Sequence, residues 1–114
     1  MAILRLNLKL YRNLCGAEKP MERRLLNKDE IASGLADLTG WKAKDGKLKK
    51  KYAFSNFAES LAFVNKVGEV AESMDHHPDI KFGWGYAKIS TTTHDRGGIT
   101  DVDLTLAGKI DSIT

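Results

Sequence analysis

Between Phe57 and Met74, apolar side chains recur at three- and four-residue steps, and Pro78 follows shortly after. Phe57, Leu61, Val64, Val67, Ala71 and Met74 fall on one side of a helix at that spacing, the stripe of a core face. Ser55 is the expected N-cap, and the proline, which lacks an N–H and restricts the residue before it, ends the helix at about Met74. Such a helix must bury its stripe, and the flanking sequence supplies the surface. Trp41 opens a short strand, Asp45-Gly46 is a hairpin turn, and Leu48 to Phe54 is the return strand. Ile80 to Phe82, a turn at Gly83-Trp84-Gly85, and Ala87 to Thr93 make a second hairpin. Asn27 and Glu30 make a capping-box start for a helix over 28–38, with Ile31, Leu35 and Leu38 inward and Gly40 at its stop. Thr100 caps a last helix whose Val102, Leu106, Ala107, Ile110 and Ile113 face inward. The order helix, hairpin, helix, hairpin, helix implies an α+β domain, an antiparallel sheet from two hairpins with helices packed on one face.

Charge places the basic surplus outside this unit. Residues 1–26 hold six basic and two acidic side chains, +4, and residues 27–114 hold twelve and thirteen, −1. The domain is thus expected over 27–114, behind a basic extension at 1–26, and a near-neutral body argues against direct nucleic-acid binding. The lysines at 47, 49, 50 and 51 are expected to solvate an exposed sheet edge. Within the extension, Leu4, Leu6, Leu8 and Leu10 alternate with polar residues, the pattern of an added edge strand. Three basic residues without an acid there also fit a transit peptide, so a mitochondrial address stands as the alternative to the cytoplasm. One cysteine, Cys15, forms no internal disulfide, and no apolar run approaches the roughly 20 residues of a membrane helix.

The three histidines stand at 76, 77 and 94. The turn near Gly85 lies eight residues after His77 and nine before His94, so folding the hairpin brings His94 beside the His76-His77 pair at its open end. Glu72, Asp75 and Asp95 are neighbours. Imidazole takes or gives a proton near neutrality, so the cluster suits general acid–base work, although a helix-ending His-Pro is also an ordinary cap. Three histidines with water would equally be a zinc arrangement, but adjacent histidines diverge on a helix or a strand, which disfavours a metal. No serine lies in a nucleophile elbow.

The stretches AESMDHHPDI, TTTHDRGGIT and DVDLTLAGKID resemble the pterin-4a-carbinolamine dehydratase family, also known as dimerisation cofactors of a homeodomain transcription factor. The resemblance extends over about 27–112 and includes Gly40-Trp41 and the Phe54 to Phe57 segment. It implies dehydration of 4a-hydroxytetrahydrobiopterin to the quinonoid dihydropterin, a lyase step of tetrahydrobiopterin recycling, with no cofactor and no metal. It makes His76, His77 and His94 the catalytic histidines. Glu72, Asp75, Pro78, Thr92, Thr93 and Asp103 then match substrate-binding positions. His76 and His94 are expected to move protons on opposite faces of the ring, with His77 holding it. Family resemblance also implies a homo-oligomer, dimer or tetramer, and offers a transcription-factor partner as the alternative function. Gly85 stands where a polar residue is common, and Arg96 where a smaller one is found; Arg96 is expected to face solvent.

Overall fold

The computed structural model describes residues 23–114. The expected edge strand at Leu4 to Leu10, and Cys15, lie outside them. The order is α1 (Lys28–Leu35), β1 (Lys42–Lys44), β2 (Lys47–Ala53), α2 (Phe57–Met74), β3 (Asp79–Gly83), β4 (Tyr86–Thr91), a single 3-10 turn (His94–Arg96) and α3 (Asp101–Asp111). The four strands form one antiparallel sheet in the order β1-β2-β4-β3. This is the α+β fold expected. Asp45 and Gly46 both take positive φ, 55° and 74°, as the tight β1–β2 turn requires.

The sheet's inner face supplies Leu48, Tyr52, Ala87 and Ile89, and the helices supply Phe63, Val67, Leu106, Ala107 and Ile110; all are buried together with Trp41 and Ile99. Period-two alternation is therefore strict on β2 and β4, and every second residue faces away from the helices. Gly34 brings α1 against α3, since a Cβ there would stand 2.5 Å from Leu104 Cδ1.

Four expectations are corrected. Helix α1 stops at Leu35 instead of 38, with Ala36 as its C-cap, and residues 36–40 continue as turns and a bend. The N-cap of α2 is Asn56, not Ser55: its side chain accepts from Glu59 N at 2.9 Å, and Glu59 Oε1 in turn accepts from Ser55 N at 2.9 Å. The buried seam of α2 is Ser60, Phe63, Val67 and Ala71, while Phe57 and Leu61 stay 46% and 39% exposed. Phe63 wins the inner place because it packs between Tyr52 and Phe54, ring centroids 4.6 and 5.0 Å away. Ser60 follows it inward because its hydroxyl is satisfied by the Asn56 carbonyl at 3.1 Å. Finally, β2 is an interior strand paired on both sides, so its lysines do not guard an edge. Lys49 and Lys51 stand on the sheet's open face, and Lys50 points the other way, to the Thr39 carbonyl and Asp111.

Hydrogen bonding to the domain begins ahead of position 27. Leu26 N donates to Ile99 O at 2.9 Å, Leu25 bridges Thr100, and Arg24 N donates to Asp101 Oδ1 at 3.2 Å. Residues 24–26 thus pin the loop that leads into α3.

Candidate active site

The helix end fixes the first two histidines. Asp75 sits in the left-handed region at φ 51°, and its N–H reaches the Ala71 and Glu72 carbonyls, while His76 N reaches Ala71 O at 3.1 Å. This is the Schellman closure, with the unusual φ on an aspartate where glycine is commoner. It turns the next residue back against the helix, which is why His76 is only 6% exposed. Arg23 Nη2 donates to the Asp75 carbonyl at 3.2 Å and braces the same turn. Pro78 then leads directly into β3.

Asp103 fixes what His76 does. The aspartate lies in the first turn of α3, fully buried, where the helix N-terminus favours a carboxylate. Its Oδ1 accepts from Thr91 Oγ1 at 2.6 Å and stands 2.7 Å from His76 Nε2. Its Oδ2 accepts from Thr93 Oγ1 at 2.9 Å and from Thr100 N at 3.0 Å. A carboxylate surrounded by donors accepts from each, so Nε2–H of His76 donates and Nδ1 is the ring nitrogen that Asp103 leaves free. Thr93 Oγ1 also shares a hydrogen bond with Thr100 Oγ1 at 2.8 Å. One buried carboxylate therefore ties together the end of α2, the end of β4 and the start of α3.

That tie places His94. It follows Thr93 directly, at the head of the 3-10 turn, and the turn is closed by Thr93 N to Gly98 O at 2.9 Å. The pairing of β3 with β4 runs Asp79↔Ser90, so His76-His77 and Thr93-His94 leave the same end of the hairpin. His94 is exposed, as are Asp95 and Arg96. Among the described residues the His94 imidazole makes no hydrogen bond or ion pair. His77 is exposed too, with Nε2 on Glu72 across the last turn of α2.

Of the nine expected site residues, the structure sets Glu72, Asp75, His76, His77 and Pro78 at the end of α2 and His94 at the same open end of the β3–β4 hairpin, with Thr93 and Asp103 buried. Thr92 is turned away by strand alternation, and its hydroxyl donates to the Gly46 carbonyl at 2.8 Å. Thr91 and Thr100 were not among the expected residues, although both hold Asp103. Their signals were the alternation Thr91/Thr93 and the capping spacing Thr100–Asp103. Among the described residues no three His, Cys, Asp or Glu side chains converge as metal ligands. No helix among them is long and apolar enough to cross a membrane.

A family profile of pterin 4 alpha carbinolamine dehydratases matches residues 24–113. The chain belongs to this family. A relative from Rubrobacter xylanophilus, provisionally named for the same dehydratase, is 44% identical over 89 residues, spanning 77% of this chain and 83% of its own. Among solved structures, a transcriptional coactivator/pterin dehydratase from Brucella melitensis superposes with a TM-score of 0.76 at 26% identity, covering 79% of this chain and 98% of its own. A pterin dehydratase-like RuBisCO assembly factor of the alpha-carboxysome is similar at TM-score 0.53 and 26% identity, over 64% and 84%.

Proposed function

We propose that the histidine vertex of this chain removes water from a 4a-hydroxytetrahydropterin. The hydroxyl on C4a accepts a proton and leaves as water, N5 releases its proton, and a quinonoid dihydropterin remains. One water is lost and no electrons are exchanged, so the reaction asks for a proton donor and a proton acceptor, and imidazoles serve as either near neutrality. The observation that carries this reading is the His76–Asp103 pair. Asp103 engages one ring nitrogen, fixes the ring's orientation and leaves the other nitrogen for the vertex shared with His94. In this reading His76 and His94 exchange the protons, on opposite faces of the pterin, and His77, oriented by Glu72, holds the ring. Asp103 and Thr93 act from below as positioning residues for His76, and Asp75 and Pro78 set the path of the histidine pair.

The test is dehydration of freshly generated 4a-hydroxytetrahydropterin, followed by ultraviolet absorbance with and without a chelator. Chelator-insensitive turnover that is lost in a His76→Ala, His94→Ala double variant supports the reading. A folded wild-type protein without turnover defeats it.

A second reading, a binding module that assembles with a helical partner, is favoured by one observation. Phe57 and Leu61 leave apolar surface open on α2, and Phe57 stacks on Phe82 at 5.7 Å to extend it. The same surface would serve a homo-oligomer. The double variant separates the two functions, because binding survives loss of the histidines and catalysis does not.

A further inference from the structure

The sheet's open face carries a charge pattern that stability alone does not explain. Strand alternation puts Lys42, Lys44, Lys49, Lys51, Lys81 and Lys88 on it, all exposed, and they line a shallow depression of about 890 Å³. Asp79 is the one carboxylate there among the described residues. The lysines are not staggered in register along the strands. Lys42 lies directly opposite Lys49, Lys51 opposite Lys88, and Lys88 opposite Lys81, so one row of three lysines crosses three adjacent strands. Like charges in directly opposed cross-strand positions destabilise a sheet. The near-neutral charge of residues 27–114 conceals this face, because the acids lie elsewhere.

An aromatic ring stands among the lysines. Tyr86 lies on the same face, packed across Gly83, where a Cβ would come within 2.9 Å of the ring. Lys51 Nζ and Lys88 Nζ flank it at 5.8 and 6.0 Å from the centroid. Trp84, in the adjoining β3–β4 turn, is 72% exposed.

We infer that this face binds single-stranded nucleic acid without sequence preference. Lysines supply the phosphate contacts that dominate such binding, and the half-buried Tyr86 ring with the exposed Trp84 indole beside it offers stacking surface for bases. Among the described residues the face has no Arg, Asn or Gln to read base edges, so contacts to the backbone and to ring faces dominate. A protein partner fits less well, since lysine is depleted from the cores of protein interfaces and lysines make up more than half of this depression's lining. A membrane surface fits less well, since Trp84 is the one strongly exposed large apolar side chain beside the face among the described residues.

The experiment is fluorescence anisotropy of a labelled oligothymidylate of about 20 nucleotides with the full chain, across a salt series starting at about 50 mM. The expected result is binding whose log–log salt slope approaches about −4, the value for six phosphates neutralised on a single strand. Lys88→Glu places an acid between Lys51 and Lys81, so it is expected to raise the melting temperature while weakening binding on the order of tenfold and making the slope shallower by about one. Those opposite signs separate lost contacts from a damaged fold. Tyr86→Leu is expected to weaken binding several-fold at unchanged slope. No binding at the lowest salt overturns the inference, as does binding indifferent to Lys88→Glu and Lys49→Glu together. Polyglutamate of matched length bound as tightly as the oligonucleotide overturns it in favour of an acidic protein partner.

Discussion

The two ends of α3 each carry an aspartate that collects donors from several elements, and they do different work. At the C-terminal end Asp111 Oδ1 accepts from Trp41 Nε1 at 3.1 Å, from Lys50 Nζ at 2.9 Å and from the Tyr52 hydroxyl. At the N-terminal end Asp103 accepts from Thr91, Thr93, Thr100 N and His76. The helix dipole favours Asp103 and opposes Asp111, and only Asp111 has a lysine to offset the difference. In the Asp111 cluster Trp41 and Lys50 are donors whose role is complete once they are bonded, and Tyr52 is pushed far from ionisation. In the Asp103 cluster one donor is an imidazole with a second nitrogen left over. A buried polar network is structural when it closes on itself. It becomes a candidate for chemistry when it ends on a group that still has a proton to give or take.

The sharpest way to break this contrast is to remove each aspartate. Asp103→Ala strands buried donors from α2, β4 and α3, so it is expected to cost about 3–5 kcal/mol in urea denaturation, the scale of a broken buried pair. Asp103→Asn keeps the shape but no longer dictates the His76 tautomer. Turnover is expected to fall about 10²-fold, with a displaced pH–rate profile and a fold retained by circular dichroism. Asp111→Asn is expected to cost about 1–2 kcal/mol while leaving turnover unchanged. Equal effects of the two Asn variants on turnover would erase the contrast.

Titration sharpens the Asp111 side. Burial opposes its ionisation, but hydrogen bonds from Tyr52, Lys50 and Trp41 outweigh that and hold the carboxyl below the ordinary 3.8. A depressed folded value gives stability that is complete above the unfolded value and is lost as pH falls through the folded one. Burial, then the bond to Asp111, raises Tyr52 well above its ordinary 10.0. That proton is held by the folded state alone above this range, so stability falls as pH rises past about 10. Denaturation midpoints across pH should therefore drop at both extremes, and Asp111→Asn should flatten the acid limb. The smallest expected effect is at α1, where Asn27→Ala removes one half of the capping box and costs about 1 kcal/mol, with turnover untouched.

Local chemistry made much of this legible. The Asn27–Glu30 and Thr100 caps, the Asp45-Gly46 turn and the proline stop each act within a few residues, and the structure has them where spacing places them. That His76-His77 and His94 leave the same end of one hairpin is legible from its nearly equal arms. Strand order was not, because nothing local says that β2 pairs with β4, and so its lysines were assigned to an edge instead of a face. Only the first half of the α2 seam departs from the expected stripe, for the same reason: Phe63 is chosen over Leu61 by rings on a distant strand, while Val67 and Ala71 are buried as expected. Asp103 is singled out by the family resemblance, but its burial against His76 depends on three elements meeting, which spacing within any one of them does not encode.

Isomer-resolved dehydration rates test the central claim most directly. With separated 4a-hydroxy stereoisomers, His76→Ala should lose turnover of one and His94→Ala turnover of the other, each by about 10²-fold or more, the scale of one acid–base group. Wild-type rates on both isomers in both variants would contradict acid–base catalysis at this vertex.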